Sequence, residues 1–351
     1  MITIEGASYP VLIGAGLIDR LGELLPPRRS FLVTDENVAA AGWAARAAAG
    51  LDPIGTCLIP AGEEAKDFRH LEMLVDALLD AGIERSDRIV AVGGGAVTDI
   101  AGFAAAIVKR GCGFVPVPTT LLGQADAAIG GKTAIDTRHG KNLVGAFHAP
   151  EAVIVDVATL ATLPKRELRA GYSEVVKYGL IGDPGFFGWC EANAGALLAG
   201  DSEARLFAVE TAVRAKLALV DGDERDTRGR RALLNFGHSF GHAIEAETGL
   251  PHGEAVAIGM ALAVRFCAAR GLCPPVDAAA VERHLAALGL PTRLAVDSKA
   301  MLARMAHDKK RVAGRLRLVL TRGIGRAFLD EVDPADLATF LASESARIAV
   351  G

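Results

Sequence analysis

Features typical of secreted, membrane and nucleic-acid-binding proteins are sparse in this sequence. Its 351 residues include only five cysteines and no C-x-x-C pair, so we expect reduced, buried thiols rather than a disulfide framework or a zinc ribbon. The formal net charge of −4 gives no electrostatic reason to expect a nucleic-acid partner. The amino terminus lacks the basic and apolar segments of an export signal, and the longest apolar run stops at Arg265, too short to span a bilayer. A cytoplasmic protein without a membrane partner is predicted.

The sequence does contain enough apolar material for a large core, because 51% of its residues are hydrophobic and 23% are charged. In the first half, short apolar runs such as "DRIVAVGGG" and "CGFVPVPTT" alternate with helical stretches such as "DFRHLEMLVDALLDAG". That order predicts a mainly parallel sheet with crossover helices. After Pro164 nearly every segment is helical in period, apart from a strand or hairpin at "GRLRLVLTRGIG". We therefore expect an α/β nucleotide-binding domain over residues 1–165 and a mostly α-helical domain over residues 166–351.

Three glycine-rich or basic stretches could bind an anionic ligand. "AVGGGAVTDIAGF", residues 91–103, follows a strand and opens a helix, where backbone N–H groups can meet a phosphate. It is not the dinucleotide fingerprint, because Thr98 stands where the third glycine would be. "ADAAIGGKTAID", residues 125–136, resembles the end of a Walker A loop, but Asp126 replaces its first glycine and would repel phosphate. For these stretches, and for the basic residues 307–320, a ligand site and an ordinary turn or solvated hairpin both remain open.

Histidines and one glutamate in the second half have the composition of a metal site. "LNFGHSFGHAIE" places His238 and His242 four residues apart on one helix, and His252 precedes the next helix. In "SEVVKYGLI", Glu174 and Lys177 share a helix face among apolar neighbours. Two histidines, one glutamate and an open position suit a catalytic zinc ion. Spacing alone does not decide whether both histidines of the pair, one of them, or neither binds the metal.

Several long segments, in this order, resemble the 3-dehydroquinate synthases, a family of sugar-phosphate cyclases. They are "GGGAVTDIAGFAAA", "VPTTLLGQADAAIGGKTAID", "GKNLVGAFHAP", "SEVVKYGLI", "RALLNFGHSFGHAIE" and "HGEAVAIGM". The likeness covers most of the chain. It implies an NAD-binding α/β domain followed by a helical metal-binding domain, in agreement with the division expected near residue 165.

The resemblance also implies which residues bind metal and which perform catalysis. Three positions match the family's ligands to zinc, or alternatively cobalt: Glu174, His238 and His252. Three match catalytic positions, His242, Lys177 and Lys132, and a fourth catalytic role is expected of Asp226. By this resemblance His242 is not a ligand but the acid–base residue near the substrate. Asp226 is the expected substitute for a family glutamate, because Thr227 stands at the glutamate's position.

Substrate and cofactor residues follow from the same resemblance. Positions that match substrate-binding residues are Arg110, Asp126, Asn142, Lys216, Arg231, Asn235, Lys309 and Lys310, with one of the two adjacent lysines expected on phosphate. Positions that match NAD-binding residues are Asp35, Glu36, Asn37, Glu63, Lys66, Gly94, Gly95, Asp99, Thr119, Thr120, Lys132, Lys141, Thr159 and Thr162. Ala61 stands where the family often has an aspartate, which removes one hydrogen-bonding group. Arg110 matches an arginine that reaches a neighbouring active site, and this implies a homodimer.

The implied activity is that of a phosphate-eliminating lyase of the shikimate pathway, which supplies aromatic amino acids. The expected substrate is a phosphorylated sugar acid, 3-deoxy-D-arabino-heptulosonate 7-phosphate, and the expected products are 3-dehydroquinate and phosphate. The implied route is transient oxidation by NAD, phosphate elimination, reduction and intramolecular aldol closure. Two other activities stay open: a different sugar-phosphate cyclase of secondary metabolism, and a metal-dependent polyol dehydrogenase, which would release NADH at each turnover.

Overall fold

A computed structural model describes residues 1–6, 8–220, 230–294, 297–308 and 315–350. Its strands are β1 (Ile2–Glu5), β2 (Pro10–Gly14), β3 (Ser30–Asp35), β4 (Thr56–Ile59), β5 (Arg88–Gly93), β6 (Gly113–Pro118), β7 (Lys132–Thr137), β8 (Gly140–Phe147), β9 (Val153–Asp156), β10 (Leu316–Thr321) and β11 (Ala327–Val332). Its helices are α1 (Leu21–Leu24), α2 (Glu36–Ala40), α3 (Trp43–Leu51), α4 (Phe68–Asp80), α5 (Gly95–Ile107), α6 (Lys165–Ile181), α7 (Pro184–Ala199), α8 (Ser202–Val220), α9 (His238–Thr248), α10 (His252–Ala269), α11 (Pro275–Ala287), α12 (Ser298–Asp308) and α13 (Pro334–Val350).

A four-stranded parallel sheet in the order β4-β3-β5-β6 organises the first half of the chain. Every residue of β3 and β5 is buried, because helices and loops cover both faces. Alternate residues of β5 therefore enter different cores: Ile89 and Ala91 pack in one hydrophobic cluster, and Val90 and Val92 pack in another. The parallel sheet and its crossover helices confirm the fold predicted from the apolar runs.

The strand order creates a switch point between β3 and β5. From β3 the chain continues to β4 on one side of the sheet, whereas β5 and β6 lie on the other side. Loops that leave the carboxyl ends of the two central strands consequently diverge, and ligands of open parallel sheets bind in the crevice so formed. Asp35 ends β3 and Gly93 ends β5, so the segments expected to hold NAD follow these two ends directly.

The stretch 125–136, expected to form a glycine turn, has more structure than its composition indicated. Residues Gly123–Ala127 form a π-helical turn, and β7 and β8 form an antiparallel hairpin. Gly130 and Gly131 lie between the π-helical turn and β7, and their φ angles of 107° and 65° favour glycine. The adjacent glycines Gly130 and Gly131 indicate a turn in the sequence, and glycine weakens strands, so the hairpin was missed.

The chain divides into two compact units whose boundaries do not follow the sequence order. One contains residues 1–168 together with α8, and the other contains residues 169–199 and the elements from α9 onwards. The division expected near residue 165 lies close to the first boundary. The helical period of α8 is evident in the sequence, but period does not tell which core a helix joins.

The second unit is mostly helical, with the hairpin β10–β11 as its strands. Among the described helices, α10 is the one that is long and apolar enough to cross a membrane, and 78% of it is buried inside the fold. Such burial is typical of a core helix. All five cysteines are buried and free, as predicted from their number and spacing.

Candidate active site

Helix α6 carries a buried ion pair made of Glu174 and Lys177. Both side chains are only 1% exposed, and the Lys177 ammonium donates to Glu174 Oε2. Burial alone would raise the pKa of Glu174, but the neighbouring Lys177, His238 and His252 hold it well below the ordinary value. A buried charged pair seldom increases stability over an apolar one, so its presence here is better explained by function.

Helices α9 and α10 each begin with a histidine that faces Glu174. His238 follows Gly237, whose φ is 79°, and His252 follows Pro251. The Nε2 atoms of the two histidines lie 3.5 and 3.7 Å from Glu174 Oε1, which is beyond good hydrogen-bonding distance. Glu174 Oε1 is buried and has no hydrogen-bond partner within the part of the chain that the structure describes.

These distances fit a shared divalent cation. Ligand atoms of Glu174, His238 and His252 all lie within 4.8 Å of one another. Two donors bound to zinc at the usual lengths and tetrahedral angle are roughly 3.4 Å apart. The orphaned carboxylate oxygen and the two imidazoles therefore fit a zinc ion, as the residue types predicted, and a cation would satisfy the unpaired oxygen.

Hydrogen bonds on the outer side of each imidazole leave its Nε2 available for a metal. His238 Nδ1 donates to the backbone oxygen of Phe236 at 3.2 Å, and His252 Nδ1 donates to Glu245 Oε2 at 2.9 Å. Because both partners can only accept, each Nδ1 carries the proton. Burial lowers the pKa of His238 to about 3. Burial opposes ionisation of His252 too, but Glu174 and Glu245 outweigh it and raise its pKa to about 9.

His242 lies beside this cluster without belonging to it. Its ring centroid is 5.3 Å from that of His238 and 5.8 Å from that of His252. Its side chain is exposed, and among the described residues the group of mutually close ligand atoms does not include it. This geometry answers the question that spacing left open, since only one histidine of the pair joins the candidate metal site.

Close packing of α9 against α10 brings the His238 and His252 rings together, with their centroids 5.4 Å apart. A Cβ atom added at Gly259 would lie 2.1 Å from the backbone oxygen of Gly237 and 2.8 Å from the nitrogen of Gly241. These are backbone atoms that cannot rotate away, so any larger residue must push the helices apart.

We expect the Gly259→Ala substitution to lower the free energy of unfolding by about 1–3 kcal/mol or more and to weaken zinc binding. The matched control is Gly188→Ala on α7, where an added Cβ meets nothing within 4 Å and alanine should stabilise the helix slightly. Denaturant unfolding and zinc titration of both variants measure the effect. Native-like zinc affinity and stability in Gly259→Ala would show that the helices need not approach so closely.

Segments expected to bind NAD lie at the carboxyl ends of the parallel strands. Asp35 accepts a hydrogen bond from Val38 N at 2.9 Å and caps α2, and burial raises its pKa. Gly94 and Gly95 begin α5, and a Cβ at Gly94 would lie 3.1 Å from Thr120 Cγ2. Two glycines at a helix amino terminus leave backbone exposed to an incoming phosphate. The site therefore fits a nucleotide without matching the usual fingerprint.

Lys66 connects two predicted NAD residues with a predicted substrate residue. Its ammonium lies 2.8 Å from Asp99 Oδ2, 2.7 Å from Asn142 Oδ1 and 3.5 Å from Glu63 Oε2. Burial raises the pKa of Asp99 to about 6, although Lys66 favours the carboxylate. Burial alone would lower the pKa of Lys66, but Asp99 and Glu63 raise it. The structure thus gathers residues that stand 33 and 76 positions apart from Lys66.

Other predicted site residues of the first unit include one contacting pair and three exposed basic residues. Lys216 Nζ donates to the backbone oxygen of Asp126 at 2.5 Å and lies 3.1 Å from Asp126 Oδ1. Arg110 is exposed, and it follows Lys109 with both residues at positive φ, 64° and 51°. Two successive non-glycine residues in this region are unusual and tend to occur at functional sites. Lys132 and Lys141 are exposed on the hairpin β7–β8.

The remaining predicted site residues differ in their surroundings. Thr159 is buried and donates to the backbone oxygen of Asp156 at 2.8 Å, and Thr162 Oγ1 accepts from the Trp43 indole at 2.7 Å. Arg231 is buried and Asn235 is exposed in the turn Arg230–Asn235. Predicted residues outside the described ranges are Asp226, Lys309 and Lys310. Of the predicted NAD residues, Glu36 and Asn37 are exposed in the first turn of α2, Glu63 is exposed in a 3-10 turn, and Thr119 is buried.

Two side chains at these sites were missed by the sequence reasoning. Glu245 stands three residues after His242, and the H-x-x-E spacing on one helix face was the available signal. Gln124 is fully buried and its amide donates to the backbone oxygens of Pro118 and Asp156 at 3.1 and 2.9 Å. No local pattern identifies Gln124, because its partners come from the ends of two distant strands.

Comparison with known families covers most of the chain. Residues 56–170 match the 3-dehydroquinate synthase N-terminal model, and residues 171–311 match the 3-dehydroquinate synthase C-terminal model. The chain belongs to the 3-dehydroquinate synthase family. The resemblance drawn from the quoted motifs is thereby confirmed. Within the family, the chain is 48% identical to the 3-dehydroquinate synthase of Zymomonas mobilis, over 99% of this chain and 96% of that protein.

Solved structures of related cyclases share the fold of this 3-dehydroquinate synthase family member. One is the 2-epi-5-epi-valiolone synthase of Streptomyces hygroscopicus with NAD⁺ and Zn²⁺ bound, which is 32% identical with a TM-score of 0.89 and 99% of each chain covered. Another is a 2-deoxy-scyllo-inosose synthase in complex with carbaglucose-6-phosphate, NAD⁺ and Co²⁺, at 26% identity and a TM-score of 0.87, covering 98% of this chain and all of that one. The two-domain fold class expected from the sequence is confirmed.

Proposed function

We propose that this protein is a 3-dehydroquinate synthase, which converts 3-deoxy-D-arabino-heptulosonate 7-phosphate to 3-dehydroquinate and phosphate. The observation that carries the proposal is the cluster of Glu174, His238 and His252, with ligand atoms within 4.8 Å of one another, in a chain that matches both halves of this family. The activity places the protein among the carbon–oxygen lyases of the shikimate pathway. A cytoplasmic location agrees with this pathway and with the composition of the chain.

Zinc held by the three residues would act as a Lewis acid toward a substrate hydroxyl, and NAD would accept a hydride and return it. The protein's own residues supply orientation and proton transfer. Lys177 neutralises Glu174 within the buried pair and so keeps the carboxylate ionised. His242, exposed at the edge of the cluster, would accept a hydroxyl proton, because a neutral imidazole near the reacting group can act as a general base.

Binding of the substrate's anionic groups falls to the basic residues. Within one chain, the cations that would bind the carboxylate and phosphate of the substrate are Lys132, Lys216 and Arg231, together with Lys309 or Lys310. Asp126 and Asn142, which contact Lys216 and Lys66, would orient hydroxyl groups, as would Asn235. Arg110 stands on an exposed turn of strained backbone, and this supports the proposal that it reaches the active site of a second copy in a homodimer. Asp226 is proposed as the acid–base substitute for the family glutamate.

NAD is proposed to bind across the carboxyl edge of the parallel sheet. Gly94 and Gly95 would receive the pyrophosphate at the start of α5, in line with the open backbone there. Asp99 and Lys66 form one charged group beside that helix, and Asp35 lies at the neighbouring strand end. The other proposed contacts are Glu36, Asn37, Glu63, Thr119, Thr120, Lys132, Lys141, Thr159 and Thr162.

The test is an assay of the purified protein with the heptulosonate phosphate, zinc and NAD. We expect stoichiometric 3-dehydroquinate and phosphate with no net NADH, because the hydride is returned in each turnover. A chelator should abolish product formation, and added zinc should restore it. A steady increase in NADH absorbance would instead indicate a polyol dehydrogenase. Formation of 3-dehydroquinate after complete metal removal would contradict the proposed metal site.

A second candidate function is a cyclase that acts on another sugar phosphate. The structural similarity to the valiolone and inosose synthases favours it, but identity to the Zymomonas 3-dehydroquinate synthase is higher, at 48% against 32% and 26%. Phosphate release measured with heptulosonate, sedoheptulose and glucose phosphates separates the candidates. We expect phosphate release from the heptulosonate phosphate to be at least ~100-fold faster than from the other two sugar phosphates. A site built to bind a carboxylate leaves buried cations unpaired when the substrate has no carboxylate.

A further inference from the structure

Glu245 lies next to the candidate metal site but is not one of its ligands. On α9, residues 238, 242 and 245 are separated by four and three positions and share one face of the helix. The connection between α9 and α10 spans three residues and begins at Gly249, whose φ is 68°. This short reversal brings His252 back against the last turns of α9, where Glu245 is 10% exposed.

The Glu245 carboxylate contacts the nitrogen of His252 that faces away from the cluster. Glu245 Oε2 lies 2.9 Å from His252 Nδ1, whereas His252 Nε2 lies 3.7 Å from Glu174 Oε1. The two nitrogens of an imidazole project from opposite parts of the ring, so a carboxylate bonded to Nδ1 cannot share the cation at Nε2. Glu245 therefore acts on the ring rather than on the metal.

The two histidines of the cluster depend differently on their outer partners. His238 is 10% exposed and is held by surrounding packing as well as by the backbone oxygen of Phe236. His252 is 32% exposed at the first residue of α10, so less packing restrains its ring. A charged acceptor makes a stronger hydrogen bond than a neutral carbonyl. The ring with less packing thus has the stronger acceptor.

We propose that Glu245 is a positioning residue that fixes the orientation and tautomer of His252 and thereby tunes the affinity of the site for its divalent cation. The inference rests on the proposed function insofar as that function requires the cation. A carboxylate behind a ligating histidine holds the ring in place and increases its basicity, and loss of such a partner commonly weakens metal binding ~10–100-fold.

The test measures zinc affinity in the absence of substrate and NAD, by competition with a chromophoric chelator. We expect Glu245→Ala to weaken zinc binding by ~10–100-fold. Glu245→Gln retains an oxygen acceptor but no charge, and we expect it to recover a large part of that loss. The matched control is Glu247→Gln on the same helix as Glu245, where the exposed Glu247 side chain pairs with Arg304 of α12. Its zinc affinity should equal that of the native protein.

Thermal unfolding of the metal-free proteins accompanies the titration. Similar midpoints for the native protein and Glu245→Gln would assign a change in affinity to His252 rather than to misfolding. Cobalt absorption spectra add a direct readout, because a reoriented His252 should change the ligand field in Glu245→Ala but not in Glu247→Gln.

Two results would overturn the inference: native zinc affinity in Glu245→Ala, or a loss in Glu247→Gln as large as the loss in Glu245→Ala. Neither depends on turnover. If the native protein bound zinc but formed no 3-dehydroquinate, the proposed function would fail while the role of Glu245 stood. If the native protein bound no zinc, the positioning role would fail with the site itself.

Discussion

Replacing His242 by alanine should leave zinc binding close to that of the native protein while lowering kcat by about 10²–10⁴-fold, the usual contribution of a positioned general acid–base group. His242 lies outside the group of three residues whose ligand atoms cluster, so its removal takes away no proposed ligand. Its ring is nevertheless within 5.8 Å of both cluster histidines, close enough to serve a hydroxyl bound at the same cation. Metal analysis after dialysis and steady-state kinetics measure the two effects separately.

His238→Ala is the comparison variant for this prediction, because it removes a proposed metal ligand instead of the proposed acid–base residue. It removes a side chain 3.5 Å from Glu174 Oε1, and we expect zinc content to fall by ~10-fold or more, together with activity, because structural and catalytic zinc sites need their full set of ligands. Excess zinc should restore part of the activity of His238→Ala and none of that of His242→Ala. Equal zinc loss in the two variants would contradict the division of labour between them.

Removal of the Lys177 ammonium should destabilise the metal-free protein strongly and the zinc-loaded protein much less. Lys177 and Glu174 are each 1% exposed, and loss of one partner of a buried ion pair leaves the other charge uncompensated, which costs about 3–5 kcal/mol. A divalent cation on Glu174 supplies an alternative positive charge. Lys177→Met, which keeps most of the volume, is the variant of choice.

Unfolding of native protein and Lys177→Met in denaturant, each with zinc and with a chelator, measures this effect. The difference in unfolding free energy between the two proteins should shrink by more than half when zinc is present. Arg214→Met is the matched control, because Arg214 pairs with Glu210 on the helix surface, where an exposed ion pair contributes about 0–1 kcal/mol. Two results would show that Glu174 does not depend on the Lys177 ammonium and zinc for charge compensation. One is a loss of unfolding free energy in Lys177→Met as small as that in Arg214→Met, and the other is a loss that zinc does not reduce.

Local patterns in the sequence determined most of the secondary structure that positions the site. Apolar runs predicted strands such as β5 and β6, and periodic apolar residues predicted α4 and the helical character of the chain after Pro164. These features depend on neighbours within a few residues of one another, and a single sequence records them directly. Helix α9 begins at His238, since Gly237 with its positive φ ends the preceding turn.

Residue type and spacing also predicted a metal site, and the family resemblance divided its histidines between binding and catalysis. Neither source could locate Glu245 or Gln124, whose roles depend on partners brought near by the fold. The same holds for Lys66, which meets Asp99 and Asn142 through side chains from three separate elements. A sequence names the groups able to make such contacts but not which of them come within hydrogen-bonding reach.

The sequence by itself therefore determined the chemistry that is available: a carboxylate and imidazoles suited to zinc, glycines suited to a phosphate, and lysines suited to an acidic substrate. Only the tertiary structure decided that Glu174 keeps one oxygen unpaired between two Nε2 atoms and that His242 stays outside that group. The reason is physical. Ligand geometry depends on how closely α9 and α10 approach, and that distance is set by contacts between the two helices at Gly237, Gly241 and Gly259, which a single sequence does not record.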